Sequence, residues 1–217
     1  MTINNNDQPA SIQEEIGALT QRKVIRQLHD GLTQTVSALA MRINYARRLI
    51  NSDPDAASQE LEKVEDLTRE ATREIRHIIY LLRPAGQGDT DLISDLAALV
   101  EKMENLFDLE INLDFNENLV EQFPADVQAV ILRLVEELID SARKMDKNTL
   151  FISLNQTKGD LVQLIFEIGI DGDKGVDSLR DLDLDHIQTY ANLIDGSVVL
   201  GKDGNVVQVL VPLNRYK

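Results

Sequence analysis

The chain has 217 residues, a formal net charge of -15 and no cysteine. Without cysteine there is no disulfide, no thiolate nucleophile and none of the usual structural zinc sites, and three histidines are too few for a metal site built from histidine alone. The sequence shows no run of about 18 apolar residues and no secretory leader, so we expect a cytoplasmic protein without a membrane span.

The charge is distributed unevenly along the chain. Residues 21–50 contain six basic residues and one acid, a local balance of +5, whereas residues 86–217 contain 25 acids and 11 basic residues, a balance of -14. A surface as acidic as the second part repels polyanions. We therefore expect no nucleic acid among the partners of this protein.

The first predicted element is a long amphipathic helix that follows a polar tail over residues 1–20. Its apolar residues recur at steps of three and four, which places them in one stripe along a helix. The stripe consists of Ile25, Leu28, Leu32, Val36, Leu39, Ile43, Ala46 and Ile50. A polar segment around Pro54 ends this helix, and a second stripe of similar spacing runs from Leu61 to Leu82 before Pro84 stops it.

The two stripes predict a helical hairpin over residues 21–85. Two helices alone bury too little apolar surface to be stable. We therefore expect the hairpins of two chains to pair into a four-helix bundle, which makes the protein a homodimer.

After a linker over residues 86–94, residues 95–217 combine helical and strand patterns. A helical segment precedes "LEINLDF", whose alternation is typical of a strand, and the strongly apolar helix "VQAVILRLVEELI" follows. Two strand-like runs, a further helix and a hairpin around "KDGN" complete the chain. This order predicts an α+β domain, an α/β sandwich with helices on one face of a mixed sheet.

One short motif in the first helix carries candidate chemistry. In "LHDGLTQ", His29 precedes Asp30, and Gln34 follows five positions after the histidine. By themselves these residues are compatible with a solvated surface, a metal ligand or a nucleophile. An adjacent carboxylate can hold one imidazole N–H, which leaves the other ring nitrogen able to attack phosphorus.

These elements and motifs, in this order, resemble a sensor histidine kinase core, in which a dimerisation and phosphoacceptor hairpin precedes an ATP-binding domain of the Bergerat type. The similarity is closest to the subfamily with "LHDGLxQ" in its first helix and Leu-Arg-Pro at the end of its second, as in "LTREATREIRHIIYLLRP" here. The similarity covers about residues 20–215 and is strongest in the hairpin.

The resemblance implies a role for each residue of the motif. His29 is expected to accept a phosphoryl group, Asp30 to orient or deprotonate His29, and Gln34 to position water when a partner is dephosphorylated. The expected partner is the receiver domain of a response regulator. Residues 1–20 are too few for a sensor domain, so a separate sensor or kinase subunit is a further candidate partner.

The resemblance also indicates a remnant nucleotide site. Aligned with the first box of the family, this sequence supplies Glu137 for the glutamate and Lys144 for the lysine, but Ser141 replaces the asparagine that binds magnesium. Serine offers one oxygen on a shorter side chain and is a weaker magnesium ligand. The second box keeps Asp171 and Gly175.

Further departures argue against a bound nucleotide. Asp173 replaces the middle glycine of the second box, and Asp181 and Asp183 replace both glycines of the third. Glycine-rich turns bind phosphates because their N–H groups approach the oxygens, whereas carboxylates repel a triphosphate. We therefore expect no cofactor and no metal site, with ATP and magnesium bound only if the nucleotide site functions in spite of these changes.

The sequence thus predicts a two-component signalling protein of the histidine kinase family that passes a phosphoryl group from His29 to a receiver domain, or removes one from it. A phosphotransferase or phosphatase is favoured over an ATP-dependent autokinase. Two alternatives stay open: an active kinase with a divergent nucleotide site, and a non-catalytic scaffold that sequesters a response regulator.

Overall fold

The computed structural model describes residues 11–82, 91–145, 148–157, 161–168, 184–201 and 206–212. These residues fall into two compact units, one within Glu14–Pro84 and the other within Met1–Gln13 together with Ala85–Lys217. The first unit is helical, and the second combines helices with one sheet. The predicted fold class, a helical hairpin followed by an α/β sandwich, is confirmed.

The helical unit is a hairpin with two long arms. Its elements are α1 (Ile12–Gln27), a single π-helical turn (Leu28–Leu32), α2 (Thr33–Leu49) and α3 (Pro54–Leu81). The backbone stays helical across both junctions, with φ and ψ of -60° and -40° at Gln27 and of -62° and -42° at Thr33. The first arm is therefore one continuous helix, and the π turn adds width to it without breaking it.

The start of the second arm is defined by its capping residues. The Asp53 carboxylate accepts a hydrogen bond from the Ala56 backbone N–H at 3.0 Å, which satisfies one of the unpaired donors of the first turn. Pro54 occupies the first helical position, where its missing N–H costs nothing. These two residues explain why the predicted polar segment ends one helix and begins the next.

Two helices begin inside segments that the sequence assigns to a polar tail and to a linker. α1 starts at Ile12, within the predicted tail of residues 1–20, and Ile16 and Thr20 are buried. Polar residues prevail in this segment, but Ile12, Ile16 and Leu19 lie four and three apart and form a stripe of their own. α4 starts at Leu92, within the predicted linker of residues 86–94.

One ion-pair cluster joins the two arms of the hairpin. The Arg42 Nη1 of α2 lies 2.8 Å from Glu60 Oε2, and the Lys63 Nζ lies 2.6 Å from Glu60 Oε1. The hydrogen bond from Lys63 is the largest cause that lowers the pKa of Glu60 below its usual 4.5; desolvation raises this pKa, and the hydrogen bond from Arg42 lowers it further. The interactions that lower the pKa of a carboxyl group stabilise the folded state only while the group is ionised. Their contribution to stability is therefore lost on acidification.

We expect the hairpin to lose stability as the pH falls from 4.5, the usual pKa of a glutamate, through the lowered pKa of Glu60 in the folded protein. A Glu60→Gln variant should lose this part of the pH dependence, because it has no carboxyl group to protonate. Thermal unfolding of both proteins between pH 3 and pH 7 measures the difference. Glu62→Gln changes an exposed carboxyl two residues away and serves as the control; a Glu60→Gln profile parallel to that of the wild type would contradict the assignment.

The second unit is a two-layer α/β sandwich. Its helices are α4 (Leu92–Phe107), the short α5 (Glu117–Val120), α6 (Ala125–Lys144) and α7 (Leu184–Leu193). Its strands are β1 (Glu110–Phe115), β2 (Thr149–Gln156), β3 (Leu161–Ile168), β4 (Ser197–Leu200) and β5 (Val206–Pro212). Among the described helices of the whole chain, none is long and apolar enough to cross a lipid bilayer.

The five strands form one mixed sheet in the order β1-β2-β3-β5-β4. β1 and β2 are parallel and the other neighbours are antiparallel. Alternate residues of β2, β3 and β5 are buried, and they lie opposite one another across the sheet; Ile152 pairs with Phe166, which pairs with Val207. α6 covers this apolar face, and α4 and α7 pack on either side of α6.

Candidate functional site

His29 and Asp30 lie on the π turn, which has no buried residue. The side chains are 84% and 64% exposed, and His29 Nδ1 lies 3.0 Å from Asp30 Oδ1. An ionised carboxylate can only accept a hydrogen bond, so we assign the imidazole proton to Nδ1. The lone pair is then on Nε2, which faces solvent and can reach a group on another molecule.

This pair has the chemistry of an oriented nucleophile. The carboxylate fixes one tautomer, and it stabilises the positive charge that develops on the ring when Nε2 forms a bond. Both side chains are accessible to another protein without any movement of the backbone. The described residues include no cluster of three or more His, Cys, Asp or Glu side chains that could hold a metal ion.

Gln34 lies on the first turn of α2 and is exposed. We predicted that Asp30 and Gln34 share one face because residues four apart in a uniform α-helix do so. The intervening π turn changes this geometry, because its hydrogen bonds join residues five apart. The angular separation between His29 and Gln34 is therefore smaller than in an α-helix.

The three basic residues that precede His29 on α1 differ in exposure. Arg22 and Arg26 are exposed, but Lys23 is 6% exposed and shares the inward face of α1 with Ile16. His77 on α3 is fully buried, which makes it a structural residue of the hairpin.

Another surface of the hairpin carries a group of cations. A groove of about 870 Å³ lies against α3. Its charged lining comprises Arg42, Lys63, Arg69, Arg73, Arg76, Asp66 and Glu70. Five cations line the groove against two carboxylates, and with the neighbouring Glu60 and Glu65, which pair with Arg42, Lys63 and Arg69, the balance stays slightly positive in a chain whose net charge is -15.

The predicted apolar stripe of the first arm divides into two faces. Leu32 packs on the buried cluster of Val24, Ile78 and Leu81, and Ala46 is also buried. The other face remains exposed in the described chain. Its members are Val36 (58%), Ile43 (49%) and Ile50 (53%) on α2, with Leu61 (47%), Ile75 (42%) and Leu82 (56%) on the second arm and its end.

These six exposed residues are called the apolar seam below. Within each arm they are separated by seven residues or a multiple of seven. Such spacing keeps side chains in one line along a helix that packs against another helix. A line of large apolar side chains of this length is unusual on a surface that contacts only water.

The remnant nucleotide residues that the structure describes lie near the end of α6. Glu137 is buried and Ser141 is half-buried. The Lys144 Nζ lies 3.1 Å from Asp140 Oδ2, and Asp140 is 1% exposed. The other oxygen of Asp140 accepts a hydrogen bond from Arg143 Nη2 at 2.9 Å. The lysine expected to face a phosphate is thus engaged by a carboxylate of its own helix.

Other residues of the predicted nucleotide boxes are not among those that the structure describes. Asp171, Gly175, Asp173, Asp181 and Asp183 lie outside the described residues. The structure places Glu137, Ser141 and Lys144 on one helix, α6.

Two features of the site were missed in the sequence, although each left a signal. Asp140 and Lys144 lie four apart on one helix, the spacing at which opposite charges pair. The apolar stripe contains two successive steps of four, from Leu28 to Leu32 and from Leu32 to Val36, where a regular heptad alternates three and four. That additional residue coincides with the π turn.

Comparison with known proteins finds similarity between this chain and histidine kinases. A family model described as "Histidine kinase" matches residues 21–87. The signal transduction histidine-protein kinase/phosphatase DegS of Brevibacillus brevis is 25% identical over 199 residues, which covers 89% of this chain and 51% of DegS. The sensor histidine kinase DesK of Bacillus subtilis (strain 168) is 32% identical over 72 residues, which covers 33% of this chain and 20% of DesK.

A solved structure also aligns with this chain. The blue-light activated histidine kinase of Erythrobacter litoralis EL346 aligns with a TM-score of 0.45 and 14% identity, over 87% of this chain and 66% of that one. The chain spans about half the length of DegS and a smaller share of DesK.

Proposed function

The chain carries a sensor histidine kinase core, and from this premise we propose that it handles a phosphoryl group at His29. The group passes between His29 and the receiver aspartate of a response regulator, or is removed from that aspartate by hydrolysis, and the protein binds little or no ATP. The observation that carries the proposal is the exposed Nε2 of an imidazole whose Nδ1 is held by Asp30.

In the transfer reaction, Nε2 of His29 attacks the phosphorus of an aspartyl phosphate. The N–P bond forms as the bond between phosphorus and the carboxylate oxygen breaks, and the receiver carboxylate leaves as the free anion. The imidazole keeps its proton on Nδ1, so the ring becomes cationic, and the Asp30 carboxylate stabilises that charge. The reverse reaction returns the phosphoryl group to the receiver by the same path.

In the hydrolytic reaction, water replaces His29 as the nucleophile. The side-chain amide of Gln34 is exposed one helical turn from the phosphoacceptor, where its oxygen can accept a hydrogen bond from that water. The products are inorganic phosphate and the free aspartate. The relative DegS is named as a kinase/phosphatase, and it aligns with this chain over 199 residues.

The charge of the basic groove supports a receiver domain as partner. Receiver active sites are clusters of carboxylates, and an acidic surface is attracted to a groove lined by Arg42, Arg69, Arg73 and Arg76. The acidic second unit of the chain has no comparable excess of cations.

The apolar seam supports a homodimer. A second hairpin placed along it would cover Val36, Ile43 and Ile50 of one chain with their counterparts, and the arrangement has four helices around one apolar core. A dimer also removes from water side chains that two helices cannot bury by themselves.

The pairing of Lys144 with Asp140 supports weak nucleotide binding. A phosphate that recruits Lys144 must first displace a buried carboxylate, and the half-buried Ser141 gives magnesium one short ligand. The alternative is an ATP-dependent kinase, which is favoured by the retained Glu137 and by the Lys144 side chain, which is 56% exposed. Calorimetric titration with MgATP discriminates the two: no heat of binding at millimolar nucleotide supports the proposal, and a micromolar Kd overturns it.

We expect Gln34→Ala to lengthen the lifetime of a phosphorylated receiver by on the order of 10²-fold, because the attacking water loses its orienting group. Receiver domains labelled with radioactive acetyl phosphate are mixed with the protein, and the remaining aspartyl phosphate is followed in time. Gln21→Ala removes an exposed amide from α1, outside the π turn, and is the matched control. Equal decay with wild type, Gln34→Ala and no added protein would exclude a phosphatase.

A non-catalytic scaffold gives a different result. It predicts that labelled receivers bind with the same affinity to wild type and to His29→Ala, and that no label is exchanged or lost in either case.

A further inference from the structure

The second half of α6 contains three buried carboxylates. Glu136, Glu137 and Asp140 are 3%, 7% and 1% exposed. A carboxylate that is removed from water to this degree stays ionised only where cations or N–H donors replace the water. Glu136 accepts a hydrogen bond from the Arg133 Nη1 at 2.6 Å, and Asp140 contacts two cations that follow it on the same helix. Asp140 therefore lies at the centre of a charge cluster near the end of α6.

The two cations that contact Asp140 are held in different ways. The Arg143 Nη2 lies 2.9 Å from Asp140 Oδ1, and the guanidinium of Arg143 also stacks 4.3 Å from the ring centroid of Phe107, the last residue of α4. The Lys144 Nζ lies 3.1 Å from Asp140 Oδ2. The side chain of Arg143 is 17% exposed, whereas that of Lys144 is 56% exposed. Packing thus fixes the arginine, and the lysine stays largely in solvent.

This difference makes Lys144 the exchangeable partner of Asp140. If the ammonium of Lys144 leaves, water hydrates it and its side chain regains rotamer freedom, so the cost to Lys144 is small. Asp140 meanwhile keeps the charge-assisted hydrogen bond from Arg143. Loss of Arg143 would be costly, because it removes the packed donor of a fully buried carboxylate.

An oxyanion from solution must compete with Asp140 for Lys144. Carboxylate and phosphate oxygens form the same kind of charge-assisted hydrogen bond with an ammonium group. The carboxylate has the advantage of proximity, because a residue four positions away on one helix is always within reach. A phosphate that takes its place also approaches a like charge.

We propose that Asp140 is an internal substitute for phosphate, which holds Lys144 and so lowers the affinity of this helix for phosphate-type oxyanions. The inference rests on the proposed function, since it names the residue that determines weak binding at the remnant nucleotide site. At the position where the resemblance expects a lysine to face a nucleotide, the chain supplies a carboxylate of its own. Arg143 keeps that carboxylate in place when Lys144 is released.

Asp140→Asn tests the inference with inorganic pyrophosphate as the probe. Asparagine keeps the shape of the side chain and an oxygen that can accept from Arg143, but it has no charge with which to hold Lys144. Pyrophosphate is titrated into the full chain, and the chemical shift of the Lys144 backbone amide is followed by NMR. Half-saturation should occur at a concentration at least about fivefold lower than in the wild type, because the competing ion pair is gone.

Two control variants show whether this gain depends on Lys144. Asp140→Asn/Lys144→Ala removes the released ammonium and should return half-saturation, now followed at the Arg143 amide, to the wild-type concentration or above it. Glu101→Gln removes one exposed carboxylate from α4 and changes the net charge by the same single unit. It should leave the titration of the wild type unchanged.

Thermal unfolding tests the division of roles independently, even if Asp140→Asn does not fold. Lys144→Ala should change the melting temperature by less than about 2 °C, because Arg143 still pairs with Asp140. Arg143→Ala should lower it by more than about 6 °C, since the buried carboxylate loses its packed donor and α6 loses the contact with Phe107.

Each result decides the inference. A gain in affinity smaller than fivefold for Asp140→Asn, or a gain that persists without Lys144, overturns it. Equal losses of stability for Lys144→Ala and Arg143→Ala also overturn it, because Lys144 would then be a fixed partner of Asp140. These results leave the chemistry proposed for His29 in place, since that chemistry is measured by transfer of label from a receiver. A micromolar Kd of the wild type for MgATP overturns both the inference and the proposal of weak nucleotide binding.

Discussion

Replacement of His29 with alanine is expected to reduce phosphoryl acceptance from a labelled receiver by more than about 10³-fold, to background. The imidazole is the only group of the π turn with an unprotonated nitrogen, and its Nε2 is the proposed point of attachment. Label on the wild-type protein should be labile in acid and stable in base, as expected for phosphorus bound to nitrogen. Gel autoradiography after each treatment measures it.

Two further variants separate attachment from orientation. Asp30→Asn keeps a side chain of the same shape but removes the charge that stabilises the cationic ring, so label should appear about 10²-fold more slowly. His186→Ala removes a half-buried histidine of the α/β unit and should leave the labelling unchanged. Base-stable label that persists on His29→Ala would place the phosphoryl group on another residue.

Charges introduced into the apolar seam are expected to convert a dimer into a monomer. In Val36→Glu/Ile43→Glu, two carboxylates of each chain enter an apolar interface without partners, and each buried charge costs several kcal/mol. Association should weaken by about 10³-fold or more. Light scattering should then give the mass of one chain, 24.4 kDa, where the wild type gives twice that mass.

Ser37→Glu/Asn44→Glu is the matched control for the seam. Both residues follow a seam residue directly and are exposed, but they lie about 100° further around α2. This variant adds the same charge to the same helix and should remain dimeric. A wild-type protein that is monomeric at micromolar concentration would contradict the proposed bundle.

The two ends of the proposed phosphoryl pathway differ in the described structure. At the hairpin, the phosphoacceptor motif is complete and accessible, with Nε2 of His29 in solvent. At the end of α6, Lys144 is paired with Asp140, and Ser141 takes the place of a longer ligand. This difference supports the proposal that His29 exchanges phosphoryl groups with a receiver and that the protein binds little or no ATP.

Much of the secondary structure was predictable because it depends on local patterns. The alternation of "TLFISLNQ" predicted a strand that coincides with Thr149–Gln156, and the stripe of "VQAVILRLVEELI" predicted the helix Ala125–Lys144. Periods of 2 and 3.6 residues follow from backbone geometry and need no knowledge of distant contacts. The resemblance of the hairpin to histidine kinases likewise depended on one contiguous motif and its helix period.

Side-chain environments were less predictable because they depend on partners from elsewhere in the chain. Lys23 and His77 are polar by type, yet both are buried, because the opposite arm determines which side of each helix is inside. The apolar stripe showed that the first arm packs on helices, but only the contact with α3 separated the inward Leu32 from the exposed seam.

The sequence by itself thus determined the order of helices and strands, the division into a hairpin and a sandwich, and the identity of the motif around His29. Tertiary structure alone decided the strand order β1-β2-β3-β5-β4, the pairing of Asp140 with Lys144 and the π turn beneath the phosphoacceptor. The physical reason is that a helical period is local, whereas the residue at which a helix must widen depends on aligning two faces with one partner.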